Sequence, residues 1–560
     1  MNKPWLNQYP EGMPTEIEVT EYSSISDFFE QTVQKYPQRP ALANMGTTIS
    51  YSQVEERSRY LANYFRHELK LTPGTRVAIM MPNLLQDAIA ILGTLRAGLI
   101  AVNVNPLYTP RELQHQLNDS GAEVIVVLEN FAHVVADVID KTSLKHVVTT
   151  EMGDQLKFPK SKLVNFIVKW VKRMVPKFSL NGRIRFNEAL ASGSNYSYEP
   201  VNIGLEDTAF LQYTGGTTGV CKSAVLTHRN LLTNMLQATA WISYGAPQGK
   251  EVQPGKEIVI AALPLYHIFS LTANFLTFMN LGGLIYLITN PRDYKGFVKE
   301  LDQVSFSCIP GVNTLFNQLI DTPGFTELDF SSLKITLGGG MPIQTTLAER
   351  WKQATGSPII EAYGLTETSP AVCINPLNQE HHIGSIGLPI SSTDCCIRDD
   401  NGKDVPLGEI GELCIRGPQV MKQYWNRPEE TKNVFYDDGW LKTGDIAKIS
   451  DEGYIYLVDR KKDMILVSGF NVFPNEIESV ISAHPDVMEC GVIGIADDAC
   501  GEAAKAFIVK RNPKLTEDDI LAYCQDKMTA YKIPKSIKFV DDLPKSNIGK
   551  ILRRELRSLM

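Results

Sequence analysis

The sequence predicts an α/β fold: a large, multi-subdomain N-terminal α/β domain followed by a small, mobile C-terminal α+β domain. Three observations carry this. Strand-like runs alternate with helical patterns, as at 76–81, 85–98 and 99–104, which suggests a largely parallel sheet covered by helices. A chain of 560 residues is too long for one simple domain. After Val458 a five-charge cluster, Asp459-Arg460-Lys461-Lys462-Asp463, breaks the pattern, and a compact run of different order follows.

Residues 1–18 are polar and contain prolines, which does not fit a secretory signal. Segment 258–291 has no Lys, Arg, Asp or Glu and is long enough to span a bilayer. Pro264, Asn274, Asn280 and the Gly282-Gly283 pair interrupt it, so it reads as buried strand, helix, buried strand. Beyond the charged cluster come a strand at 464–468, a helix from Pro474, two strands, a helix at 517–528 and a last strand. Pro474 suits a first helical turn, where its missing N–H costs nothing. The expected division is a domain at 1–459, a hinge at 460–463 and a mobile domain at 464–560. The alternative for the charged cluster is a solvated loop.

Composition excludes some classes. A net charge of -8 gives no whole-chain signal for nucleic acid. The nine cysteines form no C-x-x-C pair, which suits a reduced, cytoplasmic protein rather than a disulfide framework or zinc site. One segment reverses the charge: 157–185 carries nine basic residues and no acidic one, leaving -17 for the rest (-8 minus 9). Within it Leu163, Phe166, Ile167, Trp170 and Met174 recur at helical spacing, bracketed by Pro159 and Pro176, with Pro176 expected to stop the helix. Such a helix either docks peripherally on an anionic inner-membrane surface or packs its stripe on the large domain. Packing is favoured, because most amphipathic helices face a core.

The chemistry concentrates in a few motifs. Leu211-Gln212-Tyr213 ends a strand, and Thr214, Gly215, Gly216, Thr217, Thr218, Gly219 and Lys222 follow. Glycines there let backbone N–H groups point at an anion, threonine hydroxyls add donors, and Lys222 adds charge. A Walker A loop is excluded: Val220 and Cys221 separate Gly219 from Lys222, and Ala224-Val225-Leu226 reads as a strand rather than a helix. On these residues alone a phosphate loop and a Gly/Thr-rich hairpin turn are equally good readings.

Further motifs decide between them. Tyr213 to Lys222 with Leu226-Thr227-His228-x-Asn230, Tyr363-Gly364-Leu365-Thr366-Glu367, Gly439 to Asp445, Asp459 to Asp463, and Pro544-Lys545-x-x-x-Gly549-Lys550 occur in this order. Together they resemble the adenylate-forming superfamily of acyl-CoA synthetases, adenylation domains and luciferases. The similarity is strongest to bacterial long-chain fatty acid–CoA ligases and runs from Trp5 to the C-terminus. Two positions depart from the family pattern, Ser223 and Cys221, which leaves the loop's resting conformation in doubt.

The resemblance implies a two-step reaction. ATP and a fatty acid give acyl-AMP and pyrophosphate, then coenzyme A gives acyl-CoA and AMP. It implies that Lys550 bridges carboxylate and α-phosphate, that Glu367 binds Mg²⁺ together with substrate phosphates, and that His267 lies near the carboxylate end of an acyl pocket. Thr366 would contact phosphate. Gly338, Gly339 and Gly340 would approach adenine, and Tyr363 would pack on it with Ala362 and Gly364 alongside. Asp445 would hold ribose, Arg460 ribose and phosphate, and Gly469 would line the pantetheine path. The small domain would turn about Lys462 between the half-reactions.

Runners-up within the class are a medium-chain or aryl acid–CoA ligase and a carrier-loading adenylation domain. From another class comes a non-catalytic acyl-binding membrane protein with a vestigial nucleotide site. Homodimerisation stays open.

Overall fold

The computed structural model describes residues 3–214, 221–377, 384–468, 470–497, 500–546 and 549–559. Two large sheets form the body. Among the described residues one has eight strands, ordered Gln423–Tyr424, Lys222–Thr227, Thr208–Thr214, Ile100–Asn103, Arg76–Met80, Val124–Leu128, His146–Thr150 and Ile184–Arg185. From Thr208–Thr214 onward its pairs are parallel. The other has nine strands, and its centre runs parallel from Ile359–Gly364 through Ile335–Gly338, Cys308–Gly311 and Ile258–Ala261 to Leu284–Leu287.

Helix Leu85–Arg96 is buried on every side, as befits a helix within the core rather than on a surface. Its one guanidinium, Arg96, is neutralised by Glu55 at 2.9 Å and Glu30 at 3.2 Å. Parallel strands buried on both faces explain why the sequence reads as near-continuous apolar runs there.

Segment 258–291 folds as expected. Strands Ile258–Ala261 and Leu284–Leu287 pair in parallel, and the helical stretch Ile268–Ser270, Leu271–Leu276, Thr277–Asn280 connects them. Among the described residues no helix is long and apolar enough to cross a membrane.

A third, antiparallel sheet orders Asp394–Arg398, Gly411–Arg416, Leu441–Ile449 and Ile455–Arg460. The charged cluster begins inside this sheet rather than in a solvated loop, and the Asp459 side chain is fully buried. Beyond it a separate sheet and core form from Ile465–Val467 onward. Its helices Pro474–Ser482 and Glu517–Gln525 lie where the sequence puts them. A hairpin strand, Phe470–Val472, and a short helix, Arg553–Leu556, are additions.

The basic segment departs from expectation in two ways. Its helix starts after Pro159 but ends at Val171, short of Pro176, because Arg173 takes a left-handed φ of 52°. This is the usual way to close a last turn. Its apolar stripe does not pack. Val164 and Val168 face the protein, whereas Phe158 is 83% exposed, Trp170 67% and Phe166 57%. Among the described residues no element covers Leu163, Phe166, Trp170 and Met174, which stay exposed, so the favoured packing reading is overturned.

Candidate active site

One cavity of about 1920 Å³ runs between the two large sheets, the antiparallel sheet and the small domain. Thr214, Lys222, His267, Glu367, Asp445, Arg460 and Lys550 all line it. These residues come from widely separated segments, and the sheets assemble them.

Strands Thr208–Thr214 and Lys222–Thr227 pair antiparallel with Thr214 opposite Lys222. The strand after the loop lysine confirms that this is not a Walker-type arrangement. Gly215, Gly216, Thr217, Thr218 and Gly219 lie outside the described residues. Edge strand Gln423–Tyr424 pairs with Lys222–Thr227 and sets Tyr424 beside the loop lysine, whose Nζ is 5.3 Å from the ring centroid. The Tyr424 hydroxyl donates to Glu367 Oε1 at 2.6 Å. Glu367 sits in the turn Thr366–Thr368, and its carbonyl accepts from the Met421 N–H at 2.7 Å. Tyr424 thus joins the cation and the carboxylate, and nothing in its local sequence signals that.

The fit for Mg²⁺ rests on donors. Among the described residues no group of three His, Cys, Asp or Glu could hold a metal. Glu367, linked through Tyr424 to Lys222, supplies one carboxylate, which suits a Mg²⁺ held mainly through substrate phosphates.

Asp445 is held from three sides. It lies opposite Arg460 in the antiparallel register, and Arg460 Nε is 3.3 Å from its Oδ1. The Tyr363 hydroxyl donates to its Oδ2 at 2.6 Å, and its own N–H donates to Thr443 Oγ1 at 3.0 Å. Gly444 before it has φ of 72°, where a side chain would be strained, and its N–H donates to Glu412 Oε1 at 3.0 Å. The buried phenol of Tyr363 is raised well above its usual range, first by burial and then by Asp445. Gly339, Gly340, Ala362, Tyr363 and Gly364 line the cavity, but Gly338 does not. A Cβ on Gly338 would come within 2.7 Å of Ile343 and Ile359, so packing between strands accounts for that glycine.

His267 caps the helical stretch after it, with Nδ1 accepting from the Phe269 N–H at 3.3 Å. Burial, and then the charge of Lys550, push it down to about 4, so it is a neutral hydrogen-bonding group at neutral pH. Lys550 faces the same space. Burial and the nearby Arg460 push its amine down to about 7. Its loop closes on itself, with the Ser546 N–H donating to the Lys550 carbonyl at 2.7 Å. Gly549 lets that loop touch the large domain, since a Cβ there would lie 2.3 Å from Thr314 Oγ1.

Arg553, three residues on, ties the loop to the sheet edge. Its guanidinium lies 3.1 Å from Asp459, 3.2 Å from Asp463 and 2.8 Å from Glu478, and also donates to Asn475. Asp459 precedes the charged cluster's lysines, Asp463 ends the cluster, and Glu478 belongs to the small domain. Glu361, which accepts from the Ile343 N–H at 3.3 Å, is pushed up to about 7 by burial. Sequence reasoning missed Arg553, Glu361 and Tyr424. Gly469 lies outside the described residues.

Away from the charges the cavity becomes apolar, lined by Ala238, Ile242, Phe278, Ile335, Leu337 and Ile374. The cavity therefore joins a charged end to an apolar end.

Residues 29–425 match the model of the AMP-binding enzyme family, and 476–550 match the AMP-binding enzyme C-terminal domain. The chain belongs to the AMP-binding enzyme family. Family relatives include the long-chain-fatty-acid–CoA ligase of Escherichia coli O6:H1, 54% identical over 557 residues that cover all of this chain and 98% of the relative. The long-chain-fatty-acid–CoA ligase of Bacillus subtilis is 34% identical, covering 99% of this chain and 97% of its own. Among solved structures, the anthranilate CoA ligase AuaEII in complex with anthranoyl-AMP superposes with a TM-score of 0.84 at 26% identity, covering 97% of this chain and 98% of its own.

Proposed function

We propose that this chain is a long-chain fatty acid–CoA ligase that forms acyl-AMP and pyrophosphate from ATP and a fatty acid, then acyl-CoA and AMP from coenzyme A. The observation that carries the reading is a single cavity that holds Lys222, Glu367, Asp445, Arg460 and Lys550 at one end and hydrocarbon walls at the other. The charged set argues against a vestigial nucleotide site. Long-chain-fatty-acid–CoA ligases that are 52–54% identical over the whole chain favour a long acid over an aryl one.

The first step brings a carboxylate against an α-phosphate, anion against anion. Its main demand is preorganised positive charge. Lys550 and Arg460 supply it beside the reacting atoms, and Lys222 with the loop threonines holds the outer phosphates. Bound triphosphate returns the Lys550 amine to its charged form. Mg²⁺, held by Glu367 and substrate phosphates, would neutralise further charge. Asp445 accepts from the ribose hydroxyls, while Tyr363 and the Gly339-Gly340 edge flank adenine. His267 orients the carboxylate as a neutral donor. The small domain, 464–560, turns about 460–463 to replace Lys550 by the Gly469 segment for the thioester step.

The exposed Phe158, Phe166 and Trp170, with the exposed Lys162, Lys172, Arg173 and Lys177 of the same segment, suit docking on the anionic cytoplasmic face of a membrane, from which insoluble acids would be drawn. Lys169 is excluded from that set, because it neutralises buried Glu129 at 3.1 Å. Replacing Lys162, Lys172, Arg173 and Lys177 by Gln should weaken cosedimentation with anionic vesicles and leave turnover of short soluble acids intact. Salt-insensitive binding unchanged by the four substitutions would rule the docking out.

The function is tested by incubating the protein with palmitate, ATP and Mg²⁺. Pyrophosphate and palmitoyl-AMP are expected without coenzyme A, and AMP with palmitoyl-CoA on its addition. Absence of pyrophosphate with long acids alongside release with aryl acids would overturn the substrate class.

A further inference from the structure

The far end of the apolar chamber borders a further space. This second, smaller cavity of about 240 Å³ is lined by Pro247, Gln248, Lys250, Lys334, Pro358, Ile360 and Leu377. Among the described residues only Leu377 belongs to the walls of both cavities.

Strand direction shows that Leu377 stands at the deep end. Strands Cys308–Gly311 and Ile335–Gly338 run parallel, with Cys308 opposite Ile335 and Gly311 opposite Gly338. Their C-terminal ends lead to Gly339 and Gly340 at the nucleotide side. Cys308 and Ile335, at their starts, therefore mark the opposite end. Strand Ala371–Ile374 runs antiparallel to Ile359–Gly364, with Ala362 opposite Ile374 and Gly364 opposite Ala371. It carries the chain back from the nucleotide side, and Leu377 follows three residues later. Helix His228–Tyr244 brings Ile242 to the same end, and a Cβ built on Gly245 would lie 3.4 Å from Leu377 Cδ1. Leu377 is 6% exposed.

The two sides of this wall differ in chemistry. On the near side stand Ile242, Ile335 and Ile374. On the far side stand Gln248, Lys250 and Lys334, the last paired with Glu257 at 2.7 Å, while Lys250 donates to the Leu333 carbonyl at 3.2 Å. A hydrocarbon tail entering from the nucleotide end passes Asn234, Thr272 and Thr277 among mainly apolar walls before it reaches Leu377. We infer that Leu377 is the specificity-determining residue that ends the acyl chamber and sets the longest fatty acid the enzyme accepts. The inference rests on the proposed long-chain ligase function. It adds that chain length is limited by a removable partition rather than by the depth of the fold, because space already exists behind the side chain.

The test compares wild type, Leu377→Ala and Leu377→Phe on saturated acids from laurate to behenate, reading kcat/KM for each length. In Leu377→Ala the ratio of kcat/KM for behenate over myristate should rise about tenfold, the usual discrimination of a pocket by one small apolar group. In Leu377→Phe the ratio of palmitate over laurate should fall by a similar factor. Thermal melting checks that each variant is folded, and the Phe variant carries the test if the Ala variant is not. A uniform loss at every length, or an unmoved profile in a folded variant, overturns the role of Leu377. A wild type inactive on every long acid would instead strike at the proposed function.

Discussion

The two ends of the cavity are built on opposite principles. At the nucleotide end several polar groups are held by one another: Tyr424 by Glu367, Asp445 by Arg460 and Tyr363, Gly444 by Glu412. At the acyl end the walls are mainly apolar side chains of the ordinary core, and Leu377 borders the space beyond. A group fixed in advance can stabilise charge without reorganising, whereas an apolar wall discriminates only by shape and length. The comparison predicts a division of labour. Changes at the nucleotide end should alter rate for all acids alike, and changes at the acyl end should alter preference among acids.

The largest effect is expected at Lys550. Lys550→Ala should cut acyl-AMP formation by about two to three orders of magnitude, the usual loss for one preorganised charge stabiliser. Thioester formation from supplied palmitoyl-AMP should survive. Pyrophosphate release and coenzyme A consumption, followed separately, check this, and equal loss in both would break the assignment.

Next is Asp445. Asp445→Ala removes the acceptor for Tyr363 and the partner of Arg460. It should raise the KM for ATP by about 10- to 100-fold, the range for hydrogen bonds to a charged group, and leave the KM for palmitate nearly unchanged. Parallel shifts in both constants would mean a general structural role instead.

These two residues also show what the sequence makes legible. Lys222, Asp445, Arg460 and Lys550 stand out because each sits in a short contiguous motif, and those motifs carry the family resemblance. Tyr424 and Arg553 do not. Their partners lie 57 and 94 positions away, in Glu367 and Asp459, so only the folded sheet order brings them together. The acyl chamber is equally silent, since Ala238, Ile242 and Leu377 are the same residue types that fill any core. The alternation of strands and helices and the small C-terminal domain were readable from periodicity. Periodicity also marked the stripe at 163–174, but it sets only which side chains share a face. Whether a neighbour covers that face depends on the rest of the fold, and among the described residues Phe166 and Trp170 stay exposed.

A smaller effect sharpens the role of Tyr424. Tyr424→Phe keeps the ring beside Lys222 but removes the hydroxyl that orients Glu367. Loss of one such hydrogen bond should lower kcat by about 3- to 10-fold for every acid, without moving the length profile. A changed ratio of palmitate to laurate turnover would show that the two ends are not independent.

The smallest effect is on stability. In the folded protein Lys550 releases its proton near 7, well below its ordinary value of 10.5 in the unfolded chain. Between these values the unfolded state binds more of that proton, so the Lys550 contribution to stability rises with pH across the window. The melting temperature of the ligand-free wild type, relative to Lys550→Ala, should therefore climb from pH 7 towards pH 10. A flat difference would mean that the amine is not buried as described.

The central claim is that one cavity activates a long acid as an adenylate before coenzyme A reacts. Its most direct measurement is mass spectrometry of the products formed from ATP and palmitate labelled with oxygen-18 in the carboxylate, with coenzyme A then added. Direct attack on the α-phosphate should yield pyrophosphate and palmitoyl-AMP first, then palmitoyl-CoA and AMP carrying one label from the carboxylate. Formation of ADP and phosphate, or AMP free of label, would contradict it.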